Sequence, residues 1–65
     1  MQISVNGEVE QTEPQSLESY LSNRSLLAHR IAVERNGDIV PKSQLSDVIL
    51  EDGDVLEIVQ AIGGG

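Results

Sequence analysis

The last five residues of the sequence, 61–65, end in three glycines, so the terminal carboxylate of Gly65 has no neighbouring side chain within that run. Three glycines, residues 63–65, have nothing to bury, and each loses more conformational freedom on ordering than any other residue type. They follow the clearest strand pattern in the chain, Val55–Gln60. We therefore expect a rigid strand that continues into a thin, flexible strip ending at Gly65. A frayed end without function is the alternative, because chain termini are commonly disordered.

The remaining side chains offer little that could catalyse a reaction. The chain has no cysteine, and its one histidine, His29, cannot form a zinc site by itself. We find no Ser/His/Asp or Cys/His set, and we expect His29 to lie on the surface beside Arg30. Asp52 and Asp54 flank a glycine, but their spacing lacks the ligand run of a calcium loop. We therefore predict a protein that is not an enzyme and that binds no metal or cofactor of its own.

The acidic net charge of the chain disfavours nucleic acid as a partner. Eleven acidic and four basic side chains give a net charge of −7, which repels phosphate backbones, and Tyr20 is the sole aromatic residue available for base stacking. We expect no binding to nucleic acid. An acidic surface instead favours a basic patch on a protein partner, or simply solubility. The sequence lacks a signal-peptide pattern and a membrane-spanning apolar stretch, so we expect a cytoplasmic protein without a membrane anchor.

The chain is long enough for one small domain. At 65 residues, only about 60% of the unfolded surface can be buried, and there is no cysteine to add a disulfide. We expect residues 1–60 to form this domain and residues 61–65 to form a flexible C-terminal tail.

The first two strands are predicted to form a hairpin. Apolar and polar residues alternate over positions 2–5, and Asn6 and Gly7 predict a tight turn because both tolerate positive φ. A two-residue turn would pair Ser4 with Val9 and send Val9 to the polar face. A bulge at Gly7 would instead bring Val9 under the core. We favour the bulge, and in either register the second strand is polar enough to form a sheet edge.

A short helix is predicted next. Ser16 is a suitable N-cap, and Leu17, Tyr20 and Leu21 follow at the spacing of one apolar stripe that ends near Asn23. A helix of this length does not persist alone in water, so it must pack on a sheet. The next two leucines along the chain are expected to fill one end of the core.

A second hairpin follows the helix. Asn36 and Gly37 again predict a two-residue turn, which here pairs Val33 with Val40 in agreement with burial. Pro41 ends the short fourth strand, because proline lacks the N–H that a strand ladder needs. The apolar residues of the long connection that follows are expected to cover the open end of the sheet.

Glu57 indicates which side chains of the final strand point toward the core. A charge at this position belongs in water, so we expect Leu56 and Ile58 to point inward. The opposite face then carries three apolar residues that no remaining element covers: Val55, Val59 and Ala61. We predict that this face is a contact surface.

The first and last strands are the most apolar, so we expect them side by side in the middle of the sheet. They would then run parallel, joined by a crossover with the helix packed on one face. This order, ββαββ followed by β, resembles the β-grasp or ubiquitin-like fold, an α+β fold with a mixed sheet and one main helix.

Within that fold, the chain is similar to the ThiS family, the sulfur carriers of thiazole formation in thiamine biosynthesis. The resemblance extends over the whole chain without insertions. It rests on the order and spacing of Met1-Gln2-Ile3 to Asn6, Val33-Glu34-Arg35-Asn36, Ile39-Val40-Pro41-Lys42, Asp52-Gly53-Asp54, and Ile58-Val59 leading into Ile62-Gly63-Gly64-Gly65.

The resemblance implies that Gly65 is the working residue. In that family a ubiquitin-activating-type adenylyltransferase adenylates the terminal carboxylate with MgATP, a desulfurase supplies sulfur to make a thiocarboxylate, and the sulfur passes to thiazole synthase. The chain has no cysteine to hold a persulfide, so the terminal carbonyl carbon is the expected carrier atom. The residues expected to contact the partners are Val59, Ala61, Ile62, Gly63 and Gly64.

Three other functions share parts of this pattern. The small subunit of molybdopterin synthase has the same fold and a thiocarboxylate end, but that family is usually longer and tends to place proline before the glycines, where this chain has Ile62. A protein modifier joined to lysines would share the tail. A plain binding module would have no use for the glycines.

Overall fold

A computed structural model describes residues 1–27 and 30–60 of the chain. Its elements, in chain order, are β1 (Gln2–Val5), β2 (Glu8–Gln11), the helix α1 (Leu17–Asn23), β3 (Ile31–Arg35), β4 (Asp38–Ile39), one short 3-10 turn (Lys42–Gln44) and β5 (Val55–Gln60). The expectations for His29 and for residues 61–65 lie outside the described residues, and the division at residue 60 stays a prediction.

The strands form one mixed sheet in the order β2-β1-β5-β3-β4. β5 lies in the middle and runs parallel to β1, with Ser4 beside Val55. On its other side β5 pairs antiparallel with β3 along the whole length of β3. The predicted parallel pairing of the first and last strands is therefore confirmed.

The helix α1 begins and ends as its sequence predicts. Ser16 caps it, since the Ser16 Oγ accepts a hydrogen bond of 3.0 Å from the Ser19 backbone N–H. Its last helical residue is Asn23, after which the Arg24 N–H donates to the Leu21 carbonyl oxygen at 3.2 Å. All three residues of the predicted apolar stripe are buried: Leu17, Tyr20 and Leu21.

The core lies between α1 and one face of the sheet. Its buried apolar side chains come from the helix, from three strands and from the long connection before β5: Ile3, Leu17, Tyr20, Leu21, Val33, Leu45, Leu50 and Leu56. Leu26 and Leu27 pack against this core as expected. The connection contributes Leu45 and Leu50 to the core, and Val48 packs against it; a 3-10 turn that the sequence did not predict lies at its start.

The expected bulge at Gly7 is wrong. Ser4 lies opposite Val9, so the first hairpin closes with a two-residue turn, and Val9 is 65% exposed on the face away from the core. Asn6 and Gly7 have φ values of 51° and 85°, the conformation whose twist matches the flanking strands without an extra residue. Because β2 is an edge strand with one apolar residue, leaving that side chain in water costs little.

The second hairpin has the predicted register. The Val40 N–H donates to the Val33 carbonyl oxygen at 2.9 Å, and Asn36 and Gly37 take φ values of 53° and 89°. β4 is only two residues long and ends just before Val40 and Pro41.

Tyr20 links the end of α1 to the edge strand β2. Its hydroxyl donates to the Glu10 Oε1 at 2.7 Å, and Glu10 also forms an ion pair with Arg24. The Arg24 guanidinium lies over the Tyr20 ring, 4.8 Å from its centroid. Burial, and then the hydrogen bond to Glu10, raise the pKa of Tyr20 to about 12.

Candidate functional site

The strand β5 presents two different faces. Leu56 is fully buried, whereas Val55 and Val59 are 46% and 62% exposed on the opposite side of the sheet. Glu57 is exposed between these two valines, as the sequence predicted. The described part of the chain places no helix over this side, so the expected exposure of Val55 and Val59 is confirmed, while the role of this face in contacting a partner stays a prediction.

The exposed surface extends from β5 onto the neighbouring strands. Ala32 lies opposite Val59, Glu34 lies opposite Glu57, and Ile39 lies opposite Glu34 on β4. Ile39 is 67% exposed. We call this surface the outer face and define it by six residues: Ala32, Glu34, Ile39, Val55, Glu57 and Val59.

Two carboxylates face each other in the middle of the outer face. Glu34 and Glu57 are direct cross-strand partners, and like charges in this position destabilise a sheet. Neither carboxylate forms a salt bridge within residues 1–27 and 30–60. The fold therefore keeps a mildly unfavourable acidic pair on a surface that otherwise carries apolar side chains.

Basic side chains border the same surface near the end of β5. A shallow depression beside Val59 is lined by Arg30, Ile31, Ala32 and Lys42. Arg30 and Lys42 are two of only four basic residues in the chain. The end of β5 that leads toward residues 61–65 therefore combines an exposed valine with two cations, whereas the middle of the face is acidic.

Of the predicted site residues, Val59 alone lies within the described residues. Val59 is exposed where the sequence placed it. Ala61, Ile62, Gly63, Gly64 and Gly65 are outside the described residues, so their predicted roles stay predictions. The sequence reasoning missed Ala32, Glu34 and Ile39. Side chains alternate between the two faces along β3 as they do along β5. Because Val33 is buried, this alternation would have placed its neighbours Ala32 and Glu34 on the exposed face.

A buried carboxylate anchors the start of β5, which the sequence reasoning treated only as a turn. Asp54 is 4% exposed, and its oxygens accept hydrogen bonds from Arg35 Nε at 2.9 Å, Asn36 Nδ2 at 3.1 Å and the Glu51 N–H at 2.9 Å. The Asn36 Oδ1 in turn accepts from the Val55 N–H at 2.9 Å. Burial alone raises the pKa of Asp54, but the hydrogen bonds from Glu51, Arg35 and Asn36 outweigh it and lower that pKa.

The described residues offer neither a metal site nor a membrane-spanning helix. Across residues 1–27 and 30–60, no group of three histidine, cysteine, aspartate or glutamate side chains is arranged to hold a metal ion. No helix in the same part of the chain is long and apolar enough to cross a membrane.

Comparison with solved structures identifies the fold. A crystal structure of the thiamine biosynthesis protein ThiS from Geobacter metallireducens superposes with a TM-score of 0.84 at 28% sequence identity, and the match covers 100% of both chains. The predicted α+β ubiquitin-like β-grasp fold is confirmed by this match.

Sequence comparison gives two kinds of relative. The sulfur carrier protein ThiS of Bacillus subtilis is 38% identical over 50 residues, which cover 77% of this chain and 76% of that protein. A thiazole synthase of Paramagnetospirillum magneticum is 42% identical over 66 residues, and one of Magnetococcus marinus is 36% identical. The chain spans only 20% of the length of each of these thiazole synthases.

A family model matches nearly the whole chain. The model of the ThiS family matches residues 2–65, which includes the three glycines. The structural match points to the same family, because the matched crystal structure is also of a ThiS protein. The chain belongs to the ThiS family of sulfur carrier proteins of thiamine biosynthesis.

Proposed function

We propose that this chain carries sulfur as a thiocarboxylate on Gly65 and delivers it for formation of the thiazole ring of thiamine. The observation that supports this most is the match of the ThiS family model through the glycines at residues 63–65. In the sequence those glycines lie two residues beyond Gln60, the last residue of the central strand β5, whose exposed side carries Val59.

The proposed chemistry has two steps at one carbon atom. A carboxylate is a poor electrophile until one oxygen becomes part of a good leaving group. In the first step, a Gly65 carboxylate oxygen attacks the α-phosphorus of MgATP and pyrophosphate leaves. In the second step, a sulfide-level sulfur attacks the carbonyl carbon, the C–O bond to AMP breaks, and a thiocarboxylate remains. MgATP is bound by the partner, and the chain holds no cofactor.

Three partners follow from this chemistry. A ubiquitin-activating-type adenylyltransferase supplies the adenylate, a desulfurase system supplies sulfur, and thiazole synthase receives it. The relatives named thiazole synthase support the last of these, because each contains within a longer polypeptide a segment similar to this whole chain. We propose that the protein acts in the cytoplasm, where the partner has MgATP available. We propose no role for nucleic acid, which the net charge of −7 disfavours, or for a membrane.

The outer face and the tail have complementary roles in docking. Val59, with Ala61 and Ile62, would enter an apolar groove on the partner. Gly63 and Gly64 lack Cβ atoms, so they can thread a narrow channel with a partner backbone close on both sides. The acidic Glu34–Glu57 pair favours a partner with a cation opposite it, since a desolvated charge needs a counter-charge.

Reconstitution tests this proposal. The full chain is incubated with MgATP, a ThiS-activating adenylyltransferase and sulfide, alongside a variant that lacks Gly64 and Gly65. We expect the full chain to gain one sulfur in place of one oxygen and the shortened variant to gain none, while both unfold at the same temperature. Sulfur uptake by the shortened variant would contradict the proposal. Recovery of chains linked to lysine side chains would instead identify a protein modifier.

A further inference from the structure

The strand β1 is too short to accompany β5 to its end. β1 ends at Val5, and at Asn6 and Gly7 the backbone turns away toward β2. The last backbone hydrogen bond from this side runs from the Asn6 N–H to the Leu56 carbonyl oxygen at 2.9 Å. The β1-facing N–H and carbonyl of Ile58 therefore lie beyond the reach of the β1 backbone.

The side chain of Asn6 takes the place of the missing strand residue. Its Oδ1 accepts a hydrogen bond from the Ile58 N–H at 2.7 Å, and its Nδ2 donates to the Ile58 carbonyl oxygen at 3.2 Å. In a longer parallel β1, the backbone groups of two residues, two positions apart, would satisfy the same donor and acceptor. Asn6 thus extends the β1 side of the sheet to Ile58, two residues before the end of β5 at Gln60.

We infer that Asn6 is a positioning residue: its two hydrogen bonds to Ile58 hold the end of β5 in the sheet, and this strand end is the part of the described fold from which the sequence continues to Gly65. This inference rests on the proposed function, because it gives Asn6 a part in presenting Gly65. It assigns Asn6 no contact with the reacting atoms.

The pairing of β5 explains why this one side chain matters. Beyond Leu56, residues 58–60 are paired on their other side with β3, from Val33 opposite Ile58 to Ile31 opposite Gln60. In the described part of the chain, the side chain of Asn6 forms the hydrogen bonds to Ile58 on the β1 side of this stretch. Without Asn6, the end of β5 would be paired on one side only and would sample more conformations. A smaller fraction of molecules would then be competent to bind the activating partner, and the apparent affinity for that partner would fall in proportion to this fraction.

The second Asn-Gly turn provides a matched control. Asn36 has the same backbone conformation as Asn6, with φ values of 53° and 51°, and is likewise followed by glycine. Its side chain also bonds to β5, but at the opposite end, where the Asn36 Oδ1 accepts from the Val55 N–H at 2.9 Å. Replacing either asparagine by glycine keeps the positive φ and removes the side-chain bonds.

The test compares Asn6→Gly and Asn36→Gly with the unchanged chain at a temperature where all three are fully folded. Amide hydrogen exchange reports the local structure. We expect Asn6→Gly to lower protection of the Ile58 amide by roughly threefold to tenfold, the loss expected for one hydrogen bond, and to leave Val55 protected. Asn36→Gly should do the reverse.

ATP–pyrophosphate exchange with a ThiS-activating adenylyltransferase reports the presentation of the tail. We expect Asn6→Gly to raise the KM for the carrier by roughly threefold to tenfold with little change in kcat. Asn36→Gly should leave KM unchanged even though it is at least as destabilising, since it also removes a bond to Asp54.

The outcomes separate the inference from the proposed function. Equal KM values for Asn6→Gly and the unchanged chain, or equal increases in both variants, would overturn the positioning role while adenylation itself stands. If the unchanged chain supports no exchange at all, adenylation of Gly65 fails, and the role of Asn6 in presenting it fails with it.

Discussion

Glu34 and Glu57 lie directly opposite each other on β3 and β5, on the side of the sheet away from the core. Nothing in the described fold requires two acids there, and their mutual repulsion weakens the sheet. Ala32 and Val59 lie next to them on one side, and Ile39 extends the row on β4. We expect such a pair on a surface that binds a partner with a cation at this position, because the cation would offset the repulsion between the two carboxylates.

The acidic pair should therefore affect stability and binding in opposite directions. Glu57→Gln removes the repulsion with Glu34, so we expect the free energy of unfolding to rise by about 0.2–1 kcal/mol. The affinity for the adenylyltransferase should fall, because a counter-charge on the partner loses its acid. Thermal unfolding and calorimetric titration measure the two effects.

The control for this variant removes the same charge elsewhere. Glu13→Gln changes an exposed acid in the loop between β2 and α1. It should leave affinity unchanged apart from a small general effect of net charge. If Glu13→Gln and Glu57→Gln weaken binding equally, only net charge matters and the outer face has no special role.

Val59 should contribute to binding far more than an equally exposed valine at the sheet edge. Val59 and Val9 are 62% and 65% exposed on the same side of the sheet, but Val9 is on β2. We expect Val59→Ala to weaken partner binding by roughly 1–2 kcal/mol, as for a buried contact residue. Val9→Ala should have no effect on binding, and neither should alter stability by more than about 0.5 kcal/mol. A Val9→Ala variant that binds as weakly as Val59→Ala would contradict this assignment.

Asp54 should be the most important acid for stability. Asp54→Ala leaves Arg35 Nε, Asn36 Nδ2 and the Glu51 N–H without their acceptor, so we expect a loss of roughly 2–3 kcal/mol. Urea unfolding measures it. Asp47→Ala, at an exposed position, is the control and should change stability by less than about 0.5 kcal/mol. A loss below 1 kcal/mol for Asp54→Ala would show that the network contributes little.

The same carboxylate predicts an acid-side pH dependence. The native pKa of Asp54 is lowered, so its contribution to stability is complete above the pKa of the unfolded chain, about 3.9. That contribution is lost as the pH falls through the lower native pKa. Asp54→Asn should therefore show a shallower loss of stability below about pH 4 than the unchanged chain. Parallel curves for the two proteins would rule out Asp54 as the source.

Tyr20 predicts the opposite behaviour at alkaline pH. As the sole tyrosine, it can be titrated by phenolate absorbance without interference, and we expect a pKa of about 12 in the folded chain. Since the native pKa is raised, its contribution is complete below the unfolded pKa of about 10 and is lost as the pH rises through the native value. Tyr20→Phe should lack this loss. A measured pKa near 10 would mean that the hydroxyl is not buried against Glu10.

Much of the fold followed from local signals in the sequence. The Asn-Gly pairs marked both turns, Ser16 marked the start of α1, and Glu57 assigned the faces of β5. The error at Gly7 came from assuming that Val9, the one apolar residue of β2, must be buried. The turn conformation and the open outer face of the sheet determined the register instead.

The contacts that organise the ends of β5 could not be read from the sequence. Asn6 bonds to Ile58 across 52 positions, and Asn36 bonds to Val55 across 19. The Asn-Gly turns already explained why asparagine occurs at both positions. No local sequence pattern indicated that the two side chains also form hydrogen bonds to β5. The burial of Asp54 could not be predicted for the same reason, because the sequence around it is typical of an exposed turn.

The location of the sulfur is the point on which the proposed function depends most directly. No lysine or arginine follows Lys42, so a tryptic digest yields the peptide of residues 43–65 intact. Mass spectrometry of this peptide, from protein made in a host with an active thiamine pathway, should show one oxygen replaced by sulfur in part of the material. Fragmentation should place that sulfur on Gly65. A peptide without sulfur under these conditions, or with sulfur placed on any other residue, would contradict the proposed carrier chemistry.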